Sequence, residues 1–213
     1  MIDYWIAARD NIAARSRSGA APVPAGHNIR GTAIFKRLEA EIRRMDLEGP
    51  AAVDWSKANI LALDILSKRS KDILVASWLS YGLFRAEGYE GLAVGLGMLR
   101  MMVESHWDAL FPPSKQEKAR AGAVEWLLHL APALAEIEPT DADASAVVAA
   151  CDALEGLARE LRAKLAHGQV ALNVLSRSLQ PYNERATVVI ATAAENATRA
   201  IEPISIRVAP VGG

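Results

Sequence analysis

Apolar residues recur along this chain at steps of three and four, and nowhere is the alternation of a half-buried strand sustained, so the pattern predicts an all-α protein. A first amphipathic piece spans residues 2–15. It gives way to "SRSGAAPVPAGHN", a Pro/Gly/Ala connector without period. In "TAIFKRLEAEIRRM", Phe35, Leu38, Ile42 and Met45 form one stripe. Lys36, Arg37, Glu39, Arg43 and Arg44 populate the wetter faces, with Glu39 placed to pair with Arg43 at i,i+4. "LEGP" ends that helix, and Asp54 is positioned as N-cap of the next, "DWSKANILALDILSKRS".

The stretch "SKDILVASWLSYGLF" departs from the amphipathic pattern. After Lys71 and Asp72 no charge appears until Arg85, and Leu74, Val75, Trp78, Leu79 and Leu83 occupy every face. A helix with no wet side is surrounded by others, so residues 71–86 are predicted to form the buried central helix. Ser70 is expected to cap it and Asp72 to sit in its first turn, where a carboxylate meets the positive end of the dipole. Gly88 is the expected terminator. The following helix, "YEGLAVGLGMLRMMVESHWDALF", carries Gly91, Gly95 and Gly97. Each costs roughly 0.5–1 kcal/mol relative to alanine, which points to a neighbouring backbone in close approach. "FPP" stops this helix.

"KQEKARAGAVEWLLHLAPALAEI" reads as a helix bent at Pro132. Thr140 and Asp143 fit a capping box opening a long alanine-rich helix. On it Val147, Cys151, Leu154, Ala158, Leu161 and Leu165 make a narrow seam suited to an antiparallel hairpin partner or a coiled-coil contact. His167 and Gly168 are its expected end. A last helical region, about 170–200, is expected to be interrupted near Pro181. The tail "IEPISIRVAPVGG" has no period and reads as a linker leading to a further C-terminal region. The expected architecture is a bundle of about seven to nine helices.

Composition narrows the function classes. The 213 residues are 51% hydrophobic and 23% charged, a globular balance. A net charge of -1 supplies no general attraction for nucleic acid or anionic lipid. Cys151 is the one cysteine, so neither an internal disulfide nor a cysteine-rich zinc site can form. Apolar runs of about a dozen residues fall short of the roughly 20 needed to span a membrane, and Arg100 argues against reading Gly91 and Gly95 as a membrane dimer motif. The start of the chain carries Asp3 and Asp10 and lacks a secretory apolar core, which favours a reducing, cytoplasmic setting.

No catalytic constellation emerges. His27, His106, His129 and His167 stand at no metal-binding spacing, and no metal or other cofactor is implied. His106 and Asp108, two positions apart, point in different directions on a helix. "GLAVGLG" lacks the strand before it and the Lys-Ser/Thr after it that a phosphate loop needs. Cys151 on the apolar seam reads as a small core residue, and Asp141 and Asp143 as helix-start carboxylates. Trp55, Trp78, Trp107 and Trp126 fall in successive helices and read as core, whereas Trp5 is a candidate contact anchor.

Taken together, "PAGHNIR", "VDW", "SKDILVASWLSYGL", "GYEGLAVGLGML", "HWDALFPP" and "ARAGAVEWL" follow the order and spacing of a known family. Residues 22–130 resemble the ImpA-type N-terminal domain that opens the TssA and TssA-like proteins of bacterial type VI secretion systems. The resemblance implies a non-enzymatic assembly module that contacts baseplate, sheath or tube proteins, in the cytoplasm and associated with the apparatus at the inner membrane. It leaves room for self-association through the full-length protein, while the charge balance and the short apolar runs point to neither nucleic acid nor membrane insertion. It carries over to Asp54 and Trp55, to Lys71, Asp72, Trp78 and Leu79, and to Gly88, Gly91, Leu92, Gly95 and Leu96. Further along it reaches Trp107, Pro112, Arg120, Trp126 and Leu127. The expected organisation is an N-terminal helical domain over 1–135, with its family resemblance over 22–130, an added helical hairpin over 136–200 packed on it, and a linker-like tail over 201–213.

The family pattern leaves two roles open for these positions, fold or partner contact. Asp72 is expected to be structural, with Arg120 placed to pair with it or with another carboxylate. Lys71 is expected to be more open to a partner, because its long stem lets an ammonium reach the surface. Two rival functions remain: a helical scaffold unrelated to secretion, and an enzyme using Asp72, Lys71 or His106.

Overall fold

The computed structural model describes residues 27–166 and 170–201, and among these the regular structure is helical throughout. The helices are α1 (Ala33–Glu48), α2 (Trp55–Lys68), α3 (Ile73–His106), α4 (Glu117–Glu125), α5 (Leu130–Glu136), α6 (Ala144–Lys164) and α7 (Asn173–Ile201), with short 3-10 turns between several of them. The all-α expectation holds. Segment 2–15 with Trp5, most of the connector, His167, Gly168 and nearly all of the tail lie outside the described residues.

Local chemistry sets the helix starts. The Thr32 hydroxyl accepts from the Phe35 amide to open α1, and Asp54 accepts from Lys57 N at 3.0 Å to open α2, as its sequence position suggested. The α1 stripe is buried at Phe35, Leu38 and Ile42, and Glu39 meets Arg43 at 3.4 Å. At α3 the cap is Asp72, not Ser70. The Ser70 hydroxyl donates to His27 O at 2.7 Å and so fastens the incoming strap, while Asp72 Oδ1 accepts from Leu74 N at 2.8 Å.

From Ile73 to Phe84 only Leu74 is less than fully buried, so the central-helix reading is right. Gly88 then takes φ +62 and ψ -142, which an L side chain disfavours. There the chain doubles back. A Cβ on Gly91 would stand 2.2 Å from Leu83 O, and one on Gly95 2.6 Å from Ser80 Cα. Residues 15 apart in a straight helix would lie about 22 Å apart, so α3 has two antiparallel arms, 73–87 and 89–106. Gly91 and Gly95 are the groove that lets these arms touch. Gly97 departs from the expectation: nothing lies within 4 Å of its would-be Cβ.

Two proline readings need correction. The irregularity in the region of Pro132 lies upstream, as a 3-10 turn over Trp126–His129 between α4 and α5. Pro132 has no N–H for the Leu128 carbonyl and its ring crowds that carbonyl, so the tightening falls on the preceding turn. Pro181, by contrast, does not interrupt α7. It is exposed, and water can satisfy the Arg177 carbonyl it leaves without a helical donor.

Thr140 and Asp143 form the predicted capping box, with Asp143 Oδ2 accepting from Thr140 N at 2.8 Å. Helix α6 lies between α3 and α7 and packs on both. Its seam faces α7: Val147 shares a small cleft with Tyr182 and Ala186, and Cys151 and Leu154 share another with Ser176, Gln180 and Asn183. That pairing runs antiparallel. Gly156, on the other side, receives the Arg100 side chain from α3.

Candidate functional site

The charged positions singled out by the sequence meet where α2, the start of α3 and the turn before α4 converge. Phe111 N donates to Lys71 O and Ile73 N to Phe111 O, both at 2.9 Å, so a short extended bridge ties the start of α3 to the loop after its second arm. Beside this bridge Lys71 is only 3% exposed, and its Nζ donates to Leu66 O at 2.9 Å, near the carbonyl end of α2. That end attracts a cation. The expectation that the ammonium reaches the surface is therefore corrected: the long stem carries it inward.

Asp72 is fully buried. Its Oδ2 lies 3.8 Å from Arg30 Nε on the strap, and the Arg30 guanidinium sits over the Phe111 ring at 5.2 Å. Burial pushes the Asp72 carboxyl above its usual range, against the opposing pull of Arg30 and of the helix-start amides. Arg120 does not pair with Asp72. It too is fully buried, donating from Nε to Pro112 O at 2.6 Å and from Nη2 to Leu110 O at 2.9 Å, with Trp107 4.3 Å beneath its guanidinium. Burial lowers its pKa, offset by Asp108. Burial, then the Lys71 charge, lowers the half-buried His106.

These groups hold loops together through backbone contacts. Lys71 and Arg120 both direct their charge at backbone carbonyls, and Asp72 directs one oxygen at a helix-start amide. Cys151 is buried, with a thiol pushed up to about 11 by burial and by nearby Glu155 and Asp152, which favours the protonated thiol at neutral pH. Among the described residues no group of His, Cys, Asp and Glu is placed to hold a metal ion.

A second polar node was not read from the sequence. Glu41, 5% exposed on α1, accepts from Lys57 Nζ at 2.7 Å, Arg44 Nη1 at 3.0 Å and Asp54 N at 3.0 Å. The Lys57 hydrogen bond first, then that of the Asp54 amide, holds its carboxyl below the ordinary value. The signal was available: position 41 falls at i+3 from Leu38 and four before Met45, inside the apolar stripe.

The tryptophans explain why such rare residues fall in register. Trp78 stands 5.6 Å from Phe35 and 6.4 Å from Trp126, while Tyr81 bridges Trp55 at 5.0 Å and Trp126 at 5.4 Å. One aromatic cluster thus joins α1, α2, α3 and the turn after α4. Trp107 stands apart, under Arg120.

The run of chain that builds this junction and this cluster also decides the kinship. Residues 20–129 match the model of a family described as ImpA, N-terminal, type VI secretion system. The chain belongs to the ImpA N-terminal family. That is a family of type VI secretion components, not a known enzyme family. The chain is 31% identical over 96 residues to the type VI secretion system component TssA1 of Pseudomonas aeruginosa, a match covering 42% of this chain and 28% of that protein. It therefore spans under a third of that relative's length. A solved N-terminal domain that includes the conserved ImpA_N region of the TssA component from Burkholderia cenocepacia has the same fold, with TM-score 0.64 and 18% identity over 85% of this chain and 92% of that one. In this ImpA_N domain the apolar motif positions Leu79, Leu92, Leu96 and Leu127 are at most 1% exposed. Pro112 supplies a carbonyl to Arg120, and Gly88 turns the α3 hairpin.

The raised Asp72 pKa fixes a sign. Because the folded value exceeds the unfolded one, near 3.8, its contribution is fully present below that pH and is lost as pH rises through the folded value. Asp72→Asn keeps a capping oxygen and removes the ionisation. Relative to wild type, it should gain stability as melts are run upward from pH 3.5 through the folded pKa, and level off above it. A constant difference across that range would show that Asp72 ionises as freely folded as unfolded.

Proposed function

We propose that this chain is a non-catalytic assembly module of the type VI secretion apparatus, working through protein–protein contacts with baseplate, sheath or tube proteins. The observation that carries the proposal is the family match over residues 20–129, combined with the way the domain uses its conspicuous charges. Lys71, Asp72 and Arg120 are buried and engaged with backbone groups of their own fold, which supports a structural role for them. The same reading takes residues 1–135 as the family domain and 136–200 as a hairpin added to it, with 201–213 as a tail. It places the protein in the cytoplasm, held to the apparatus at the inner membrane. Among the described residues no helix is long and apolar enough to cross a membrane.

Crosslinking with mass spectrometry on the full-length protein, in cells assembling the apparatus, tests the proposal. Crosslinks from the outer faces of residues 27–201 to baseplate, sheath or tube proteins are the expected result. Crosslinks confined to proteins outside the apparatus would favour a scaffold unrelated to secretion.

A further inference from the structure

The second arm of α3 and helix α6 run side by side but do not close along their outer edge. Between them lies an open cleft of about 640 Å³. Its floor is apolar and shallow, made by Val94, Gly97 and Met101 on one side and Ala146, Ala149 and Ala153 on the other. The free space over Gly97 belongs to this cleft. Its margins carry three carboxylates, Glu90, Glu104 and Asp152, with Arg100 as the cation among them. Glu104 faces Arg100 at 3.9 Å, whereas Glu90 and Asp152, both exposed, make no ion pair among the described residues.

An apolar trough with an acidic margin fits an amphipathic helix that carries a cation on its apolar side. This chain contains such a segment. In residues 2–15, "IDYWIAARDNIAAR", Ile2, Trp5, Ile6 and Ile12 recur at helical spacing, and Arg9 falls in the middle of their stripe. An arginine there has no place on a purely apolar surface, and it finds a carboxylate acceptor in this cleft. The lengths agree as well. From Glu90 to Glu104 the second arm extends about 21 Å, and fourteen helical residues extend about the same. The attachment point is also suitable. His27 and Arg30 are fastened to Ser70 and Asp72, and the loop that follows the second arm is tied to the same place, since Phe111 N donates to Lys71 O at 2.9 Å. Residues 16–26 can bridge up to about 35 Å from that point.

We infer that the cleft between the second arm of α3 and helix α6 is the docking site of this chain's own residues 2–15, with Ile2, Trp5, Ile6 and Ile12 on the apolar floor and Arg9 against Asp152 or Glu90. The docked segment would cover the alanines of α6 and Gly97 of α3 that floor the cleft. The inference stands on the cleft and the sequence of residues 2–15, and is independent of any secretion partner.

Hydrogen exchange on the whole 213-residue chain gives the first test, without substitutions. Amides in residues 2–15 should be protected, and Ala149→Glu with Ala146→Glu, which place charge on the exposed side of the floor, should lower that protection by about tenfold or more while the exchange of α3 stays unchanged. Intrinsic exchange rates for residues 2–15 in the wild type, or protection indifferent to the two substitutions, would overturn the proposal. The second test separates own chain from second copy. In a Cys151→Ala background, Ile6→Cys with Ala149→Cys should form a disulfide within one chain at every protein concentration. Disulfide-linked dimers alone would assign the cleft to a neighbouring copy, and the intramolecular proposal would fall.

Discussion

Arg120→Ala should be among the most damaging single substitutions in the domain, lowering stability by about 3–5 kcal/mol. The side chain is fully buried and donates to two carbonyls, Pro112 O and Leu110 O, while its guanidinium lies on Trp107. Alanine would leave both carbonyls without a donor in a dry site and open a cavity over the indole. At about 2–4 °C per kcal/mol for a chain of this size, the melting temperature should fall by about 10 °C. Two companion variants locate the cause. Arg120→Met restores most of the volume but no donors and should recover little. Arg120→Lys keeps the charge but lacks the planar fork that reaches both carbonyls, and should also fall short of wild type. A local readout is available too: exchange at the Ile73 and Phe111 amides, which hold the bridge beside this loop, should accelerate more than exchange in α7. A melt within about 2 °C of wild type for Arg120→Ala, less than a kcal/mol by the same scale, would remove Arg120 from its place as the tie of this junction.

The helices were legible in the sequence wherever one face is wet and one dry, because burial then writes a period that can be read. The stripe of α1, the α6 seam and the cap at Asp54 are examples. The central helix was legible for the opposite reason, since a chargeless run too short for a membrane must be enclosed. What was not legible depended on contacts between distant segments. Ser70 and Asp72 are both good capping residues. The choice between them was decided by His27, forty-three positions away, which engages the serine hydroxyl. The partner of Arg120 was misjudged because charge complementarity suggests a carboxylate, whereas the fold supplies two carbonyls at a loop that only tertiary structure brings near. Lys71 was misread by assuming that a long stem points outward. Here the carbonyl end of α2 sits beneath it and draws the ammonium in. Pro181 shows the limit of local rules, since a proline on the exposed side of a well-docked helix need not break it.

The glycines of α3 provide a prediction in which two chemically identical substitutions carry opposite signs. In an unobstructed helix, Gly→Ala stabilises by about 0.5–1 kcal/mol, because alanine has less backbone freedom to lose. Gly122, exposed in α4 with nothing within 4 Å of its would-be Cβ, should show that gain. Gly95 should not. Its Cβ would stand 2.6 Å from Ser80 Cα, a backbone atom on a helix whose own burial allows no retreat. The two arms of α3 would have to separate along their length, with a net cost of about 1–3 kcal/mol after the helical gain is subtracted. Gly91→Ala should behave similarly, since its Cβ would press on Leu83 O at 2.2 Å. Separation of the arms would also pull Trp78 and Tyr81 from the aromatic cluster that joins α1, α2 and the turn after α4. Gly95→Ala should therefore lose near-ultraviolet circular dichroism before it loses helicity. Melts of Gly95→Ala and Gly122→Ala under one buffer give the comparison directly. If both move upward, the arms of α3 are not in contact at Gly95, and the glycines of "GLAVGLG" are there for some reason other than close packing.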